Sequence, residues 1–122
     1  MVDLFPTKCN LCGGKVVLEK YPNADRFRYV CKICGAYVLA RKNNKQALGI
    51  LANEQTRIKR VQVHRLFDRF WRSQHKRAKL YSKLAMEMGI TEQECHFGYM
   101  NLDQLLKAEQ ILLSWWRTKY DK

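Results

Sequence analysis

Acidic side chains are scarce in this chain of 122 residues, where 11 Asp and Glu face 23 Lys and Arg for a formal charge of +12. No acidic tail, repeat or low-complexity tract is present, and the two prolines, Pro6 and Pro22, lie close to the amino terminus. The chain therefore reads as folded from end to end, with fraying expected only at Lys119 to Lys122. Its purely apolar runs extend a few residues at most, which excludes a membrane-spanning helix. Met1 to Thr7 is too short and too weakly basic for a secretory signal. A phosphate-cradling glycine loop, a nucleophile elbow and a dinucleotide fingerprint are all missing. Metal-dependent strand cleavage would need hard oxygen ligands or an open zinc position beside a base. Glu19, Asp25, Glu54, Asp68, Glu87 and Glu94 are scattered, and no adjacent histidine pair is present. The expectation is a protein that is not an enzyme.

Cysteine is the informative presence. Cys9 and Cys12 form one CxxC pair and Cys31 and Cys34 another, with 18 residues between them, the spacing of a four-thiolate zinc site. Gly13-Gly14 follow the first pair and Gly35 the second, and glycine accepts the positive φ that a chain folding around a metal requires. Strand-like runs at Lys15–Glu19, Phe27–Val30 and Ala36–Ala40, with turn material at Tyr21–Asp25, complete the pattern of a zinc ribbon. Two disulfides are the competing use of these cysteines, but vicinal pairs without a secretory signal suit metal better. A redox dithiol needs a βαβ context that is absent. Four thiolates fill a tetrahedral site and leave no position for water, so the expected cofactor is one structural Zn²⁺. A module of about 40 residues buries too little apolar surface to fold alone, and structural zinc contributes on the order of 10 kcal/mol.

Four thiolates and one Zn²⁺ bring the formal charge to about +10. Thirteen basic residues between positions 41 and 83 face only Glu54 and Asp68. A cationic surface this dense attracts polyanions, nucleic acid above all. The plainer reading is a set of solvated helix faces that keep a small protein in solution. The candidate phosphate contacts are Arg41, Lys42, Arg57, Lys59, Arg60, Arg65, Arg69, Arg72, Lys76, Arg77 and Lys79, with Lys32 added from the ribbon. Tyr29 or Tyr37 could stack on unpaired bases, although half-buried strand positions explain such aromatics equally well. An acidic protein is the alternative partner. A membrane surface is disfavoured because no segment joins a strong apolar face to the basic one.

The architecture expected is α+β: a four-cysteine zinc ribbon with a small antiparallel sheet over residues 1–42, then a basic helical domain of three helices over 43–122. Asn53 is placed to cap a helix running to about Trp71, with Ile58, Val61, Leu66, Phe67, Phe70 and Trp71 as an imperfect apolar stripe. A second helix is expected from about Gln74 to Met88, stopped by Gly89. Thr91 to Glu94 is a capping-box pattern, and so is Asn101 to Gln104 before a last helix with Leu102, Leu105, Leu106, Leu112, Leu113 and Trp116 on one face. These helices must pack together or onto the ribbon.

At these residues the chain resembles the family of zinc-finger-containing domains of unknown function found in bacteriophages, prophages and bacteria. The resemblance covers most of the chain. It rests on the CxxCG pairs, on Leu48-Gly49-Ile50-Leu51-Ala52-Asn53, on His64 with Phe67-Asp68 and Trp71, and on Ala78, Tyr81, Leu84-Ala85, Met88-Gly89-Ile90 and Glu94-Cys95-His96-Phe97-Gly98, the most specific block. In the family the aspartate is often followed by proline and a cysteine often lies in the last helix. Here Arg69 stands at the proline position, which lengthens the first helix, and Cys95 is the one cysteine after the ribbon, which argues against a second metal site. The resemblance implies zinc, this architecture, a phage or prophage origin and a bacterial cytoplasm; it carries no biochemical activity.

Three histidines and one cysteine remain. Cys95-His96 resembles half of a metal site, but adjacent residues rarely point at one ion and no second pair follows. His96 is expected to make a capping or core hydrogen bond, and Cys95 to act as a small apolar residue. His64 is expected to contact Asp68 one helical turn away; His75 carries no assignment of its own. Two functions follow: a nucleic-acid-binding module, or an adaptor that acts on a host machine through an acidic patch, with zinc as a staple. An exposed Trp115 or Trp116 would suit the adaptor, one of them, Trp116, being expected in the core.

Overall fold

The computed structural model describes residues 3–22, 25–74 and 76–120. His75 and part of the turn after Tyr21 lie outside them. The chain divides into two compact units, residues 1–57 and 58–122. Both fold-class expectations hold: a small antiparallel sheet carrying four cysteines comes first, and three helices follow.

In the first unit β1 (Val16–Lys20), β2 (Phe27–Cys31) and β3 (Tyr37–Leu39) form an antiparallel sheet in sequence order. Val16 pairs with Cys31 and Lys20 with Phe27, while Tyr29 pairs with Leu18 on one side and Val38 on the other. Edge strand β1 buries Val16 and leaves Leu18 and Lys20 exposed. Central strand β2 buries Tyr29, Val30 and Cys31 in succession. Its two neighbours leave little of it for water.

Residues 43–57, which the sequence grouped with the helices, pack in the first unit. The reason is a run of backbone pairing along β3. Leu48 N–H donates to Leu39 O, Tyr37 and Ala52 exchange both of their hydrogen bonds, and Ala47 N–H donates to Leu4 O. Ala47, Leu51 and Ala52 are buried as a result. The turn that brings this segment back has Lys45 at φ 61, a left-handed conformation unusual for a residue with a side chain.

Helix α1 (Glu54–Gln74) starts where Asn53 Oδ1 accepts from Thr56 N–H at 2.9 Å. α2 (Arg77–Met88) ends at Gly89, whose φ of 74° places it in the left-handed region and whose N–H satisfies the last carbonyls. Thr91 and Glu94 cap each other, as do Asn101 and Gln104 at the start of α3 (Leu102–Tyr120). The second unit has its own core, built on Val63, Phe67 and Phe70 from α1, Leu80, Leu84 and Met88 from α2, Phe97 and Met100 from the connection, and Leu105, Ala108, Leu112 and Trp115 from α3.

Three expectations about this core are corrected. Ile58 and Val61 are exposed, because the buried stripe of α1 runs through Val63, Phe67 and Phe70 on another side of the helix. Leu106 and Leu113 lie outside, because the stripe of α3 steps through Ala108. Trp115, not Trp116, is the buried tryptophan; it is 5% exposed and its Nε1–H donates to Glu87 Oε2 at 2.8 Å. Trp116 is half-buried against Phe70. Among the described residues no helix is long and apolar enough to cross a membrane.

Candidate metal centre and basic surface

Two turns of the same construction carry the four cysteines. In the first, Gly13 N–H donates to Cys9 O, Cys9 N–H to Gly14 O, and Leu11 N–H to Cys9 Sγ at 3.3 Å. In the second, Gly35 N–H donates to Cys31 O, Cys31 N–H to Ala36 O, and Ile33 N–H to Cys31 Sγ at 3.4 Å. Gly13 and Gly35 have φ of 78° and 82°. The backbone must reverse there to face its amides toward sulfur, which is why glycine follows each pair.

The four Sγ atoms lie within 4.8 Å of one another. Cys9 and Cys34 sulfurs are 3.7 Å apart and Cys12 and Cys31 sulfurs 3.4 Å. A regular tetrahedron with Zn–S of about 2.3 Å has edges of about 3.8 Å. The donor set thus fits one structural zinc ion held by Cys9, Cys12, Cys31 and Cys34, with no coordination position left over. The Cys34 and Ile33 amides draw the Cys31 thiol down to about 6. Cys12 is also drawn down by the Gly14 amide, but Cys31, burial, Cys34 and Cys9 outweigh it and push this thiol up to about 12. Crowded thiols share protons; a divalent cation removes the conflict by taking all four as thiolates.

Asn10, the residue after the first ligand, was missed by the sequence reading. Its Nδ2 donates to Leu51 O and its Oδ1 accepts from Leu51 N–H, both at 3.0 Å. The amide behaves as a short piece of strand that joins the metal turn to the segment before α1. A wildcard position within CxxC gives no signal for such a role.

The two turns differ in the residue that follows the shared glycine. A Cβ on Gly14 would fall 2.6 Å from Ile33 Cγ1 and 2.9 Å from Cys31 Sγ. Its counterpart in the second turn is Ala36, buried without difficulty. Gly14→Ala is therefore expected to displace the Cys31 knuckle and weaken zinc retention by at least about tenfold, read by competition with a chromogenic chelator. Retention equal to that of the parent protein would show that Ile33 moves aside freely.

Of the candidate phosphate contacts, Arg57, Lys59 and Arg60 are held by hydrogen bonds or ion pairs, and Arg72 and Arg77 lie 5.8 and 5.1 Å from the centres of the Trp71 and Tyr81 rings. Arg57 Nη1 donates to Ala52 O at 2.6 Å and its guanidinium lies 4.1 Å from the centre of the Tyr37 ring. Lys59 pairs with Glu109 at 3.1 Å, and Arg60 Nη2 donates to Met100 O at 3.3 Å. Arg41, Lys42, Arg65, Arg69, Arg72, Lys76, Arg77 and Lys79 are exposed. None of these eight forms an ion pair with a described residue. Lys32 pairs with Glu19. Lys83, a further exposed cation, sits 4.7 Å from the centre of the Trp115 ring.

The aromatic candidates on the sheet are occupied. Tyr29 is buried with its hydroxyl donating to Lys45 O at 2.7 Å, and the Tyr37 ring has both Arg28 and Arg57 against it. Cys95 is 1% exposed and burial pushes its thiol up to about 11, so it packs as an apolar residue. His96 makes no capping bond through its side chain and instead packs edge-on against Tyr99. Its carbonyl, by contrast, accepts from Tyr99 N–H. His64 meets Asp68 as expected, Nδ1 to Oδ2 at 3.0 Å.

Four thiols at the corners of a tetrahedron, on two glycine-ended turns of a three-stranded sheet, define a zinc-ribbon protein. The chain belongs to the family described as zinc-finger-containing domain, of unknown function, which matches residues 5–114. No curated protein and no solved structure matches it.

Proposed function

We propose that this protein binds nucleic acid through the exposed cations of its helical unit, with zinc as a purely structural element and no catalytic role. One observation carries the reading. From Arg65 to Lys83 the second unit presents seven exposed Arg and Lys residues, and none has an acidic partner among the described residues. Cations that served only the fold would be expected to pair as Lys59 does with Glu109. Unpaired ones repel each other, a cost that a polyanion relieves by releasing its own counterions. The setting that accords with this reading is the cytoplasm of a bacterial host, in a protein of phage or prophage origin.

A second reading, an adaptor that engages a host machine through an acidic patch, draws on Ile58 and Val61, apolar and about half exposed on the same helix. Salt dependence and competition separate the two. Fluorescence anisotropy of the zinc-loaded protein with labelled duplex DNA, single-stranded DNA and RNA is expected to show affinity falling with log salt at a slope of roughly −4 to −5, as for about five phosphate contacts. Binding that vanishes at near-physiological salt for all three polymers would refute the nucleic-acid reading. Capture of an acidic protein undiminished by excess nucleic acid would establish the adaptor.

A further inference from the structure

The second unit carries a shallow cavity of about 330 Å³ on α1, lined by Arg60, Val61, His64, Arg65, Phe97 and Gly98. The four α1 residues are spaced at i, i+1, i+4 and i+5 and so share one side of the helix. His64 stands at the centre of this set. Its Nδ1 bonds to Asp68 Oδ2 at 3.0 Å, and the other Asp68 oxygen accepts from Trp71 Nε1 at 2.8 Å. Its ring also meets Phe97 edge-to-face, with centroids 5.5 Å apart. Two anchors therefore hold a side chain that is still 49% exposed.

We propose that this cavity takes one unpaired base of a bound single strand, stacked on the His64 ring, with Arg65 at the adjoining phosphate. The inference rests on the nucleic-acid reading above and adds to it the kind of strand and the contact that selects it. Unpaired bases stack on aromatic side chains, histidine included, whereas a base inside a duplex has both faces covered. A ring already fixed loses little conformational freedom when a base settles on it. Val61 adds apolar surface beside the ring, and Gly98 leaves that wall without a side chain. At the rim, Arg60 Nη2 donates to Met100 O at 3.3 Å, which commits this guanidinium to the fold. The Arg65 side chain has no hydrogen bond or ion pair to any described residue. An acidic peptide would also meet Arg65, but it has no use for a clamped aromatic face. Arg69 and Arg72 continue along the exposed side of α1, rising about 6 Å and then about 4.5 Å from Arg65, as befits contacts that track a strand.

The test compares an octanucleotide with the abasic sugar-phosphate chain of the same length and with the corresponding duplex, using the zinc-loaded full chain. The octanucleotide is expected to bind about 5- to 100-fold more tightly than its abasic counterpart, the range for one stacked base. His64→Ala should remove that difference while leaving affinity for the abasic chain and the salt slope unchanged. His64→Phe should retain it, which separates loss of a stacking face from loss of folding. Equal affinity for the octanucleotide and the abasic chain, or a duplex preference with an intact salt slope, would overturn the base pocket and leave the nucleic-acid reading standing. Failure of every polymer at near-physiological salt, with an acidic peptide bound instead and lost in His64→Ala, would overturn both.

Discussion

Replacing Cys31 with serine is expected to release the zinc and unfold the first unit while the helices persist. Cys31 is 1% exposed, and its sulfur accepts from the Ile33 and Cys34 amides, which draw its thiol down to about 6. A serine hydroxyl does not take its place, and three thiolates hold zinc far less well than four. The unit has little else to hold it. Five of the nine buried residues in its main cluster are Ala or Cys, which bury too little area to offset the ordering of the chain. The second unit, with Phe67, Phe70, Leu84, Met100, Leu112 and Trp115 in its core, contains no zinc ligand. Helical circular dichroism should therefore remain after metal loss. Thiol labelling reads the same event residue by residue. The zinc-loaded parent protein should react at none of its cysteines, the variant at Cys9, Cys12 and Cys34, and Cys95 only in denaturant. A Cys31→Ser protein that keeps stoichiometric zinc would contradict the four-thiolate centre, and loss of all helix would contradict two separate cores.

Reversing Arg65, Arg69 and Arg72 together to glutamate should remove most nucleic-acid affinity without altering the fold. All three are exposed and none forms an ion pair with a described residue. Three lost phosphate contacts reduce the salt slope by about 2 to 3, which at about 0.15 M salt corresponds to a roughly fifty- to two-hundredfold loss. The same change at Arg57 and Arg60 would be uninformative, because each supports a backbone carbonyl of its own unit. A triple variant that melts like the parent protein and binds with an unchanged slope would exclude this side of α1 from the interface.

What the sequence made legible was whatever is encoded over a few residues. A metal knuckle is a local device: two cysteines, a glycine and the amides between them. Caps are local too, and Asn53, Gly89, the Thr91–Glu94 pair and the Asn101–Gln104 pair all behave as their residue types require. Choices between two apolar positions on one helix were not legible. Val61 and Val63 are equally apolar, and only tertiary packing puts Val63 at 0% exposure and leaves Val61 at 48%. Trp115 and Trp116 pose the same problem, decided by the reach of the indole to Glu87. Arginine was the least legible of all. A guanidinium serves a carbonyl, a ring or a phosphate with the same group, so the sequence could not separate Arg57 from Arg65.

The Asn10 clamp changes what a motif's open letters mean. Its side chain meets the N–H and the C=O of one residue, Leu51, with one acceptor and one donor, and among short side chains only a primary amide carries that pair on two separate atoms. Aspartate has nearly the same shape but presents two acceptors to a site that needs one of each. A consensus written as C-x-x-C records what the ion demands and is silent about the neighbouring chain. In this protein the first x belongs to a second, hidden alphabet, written by a backbone segment 41 residues downstream.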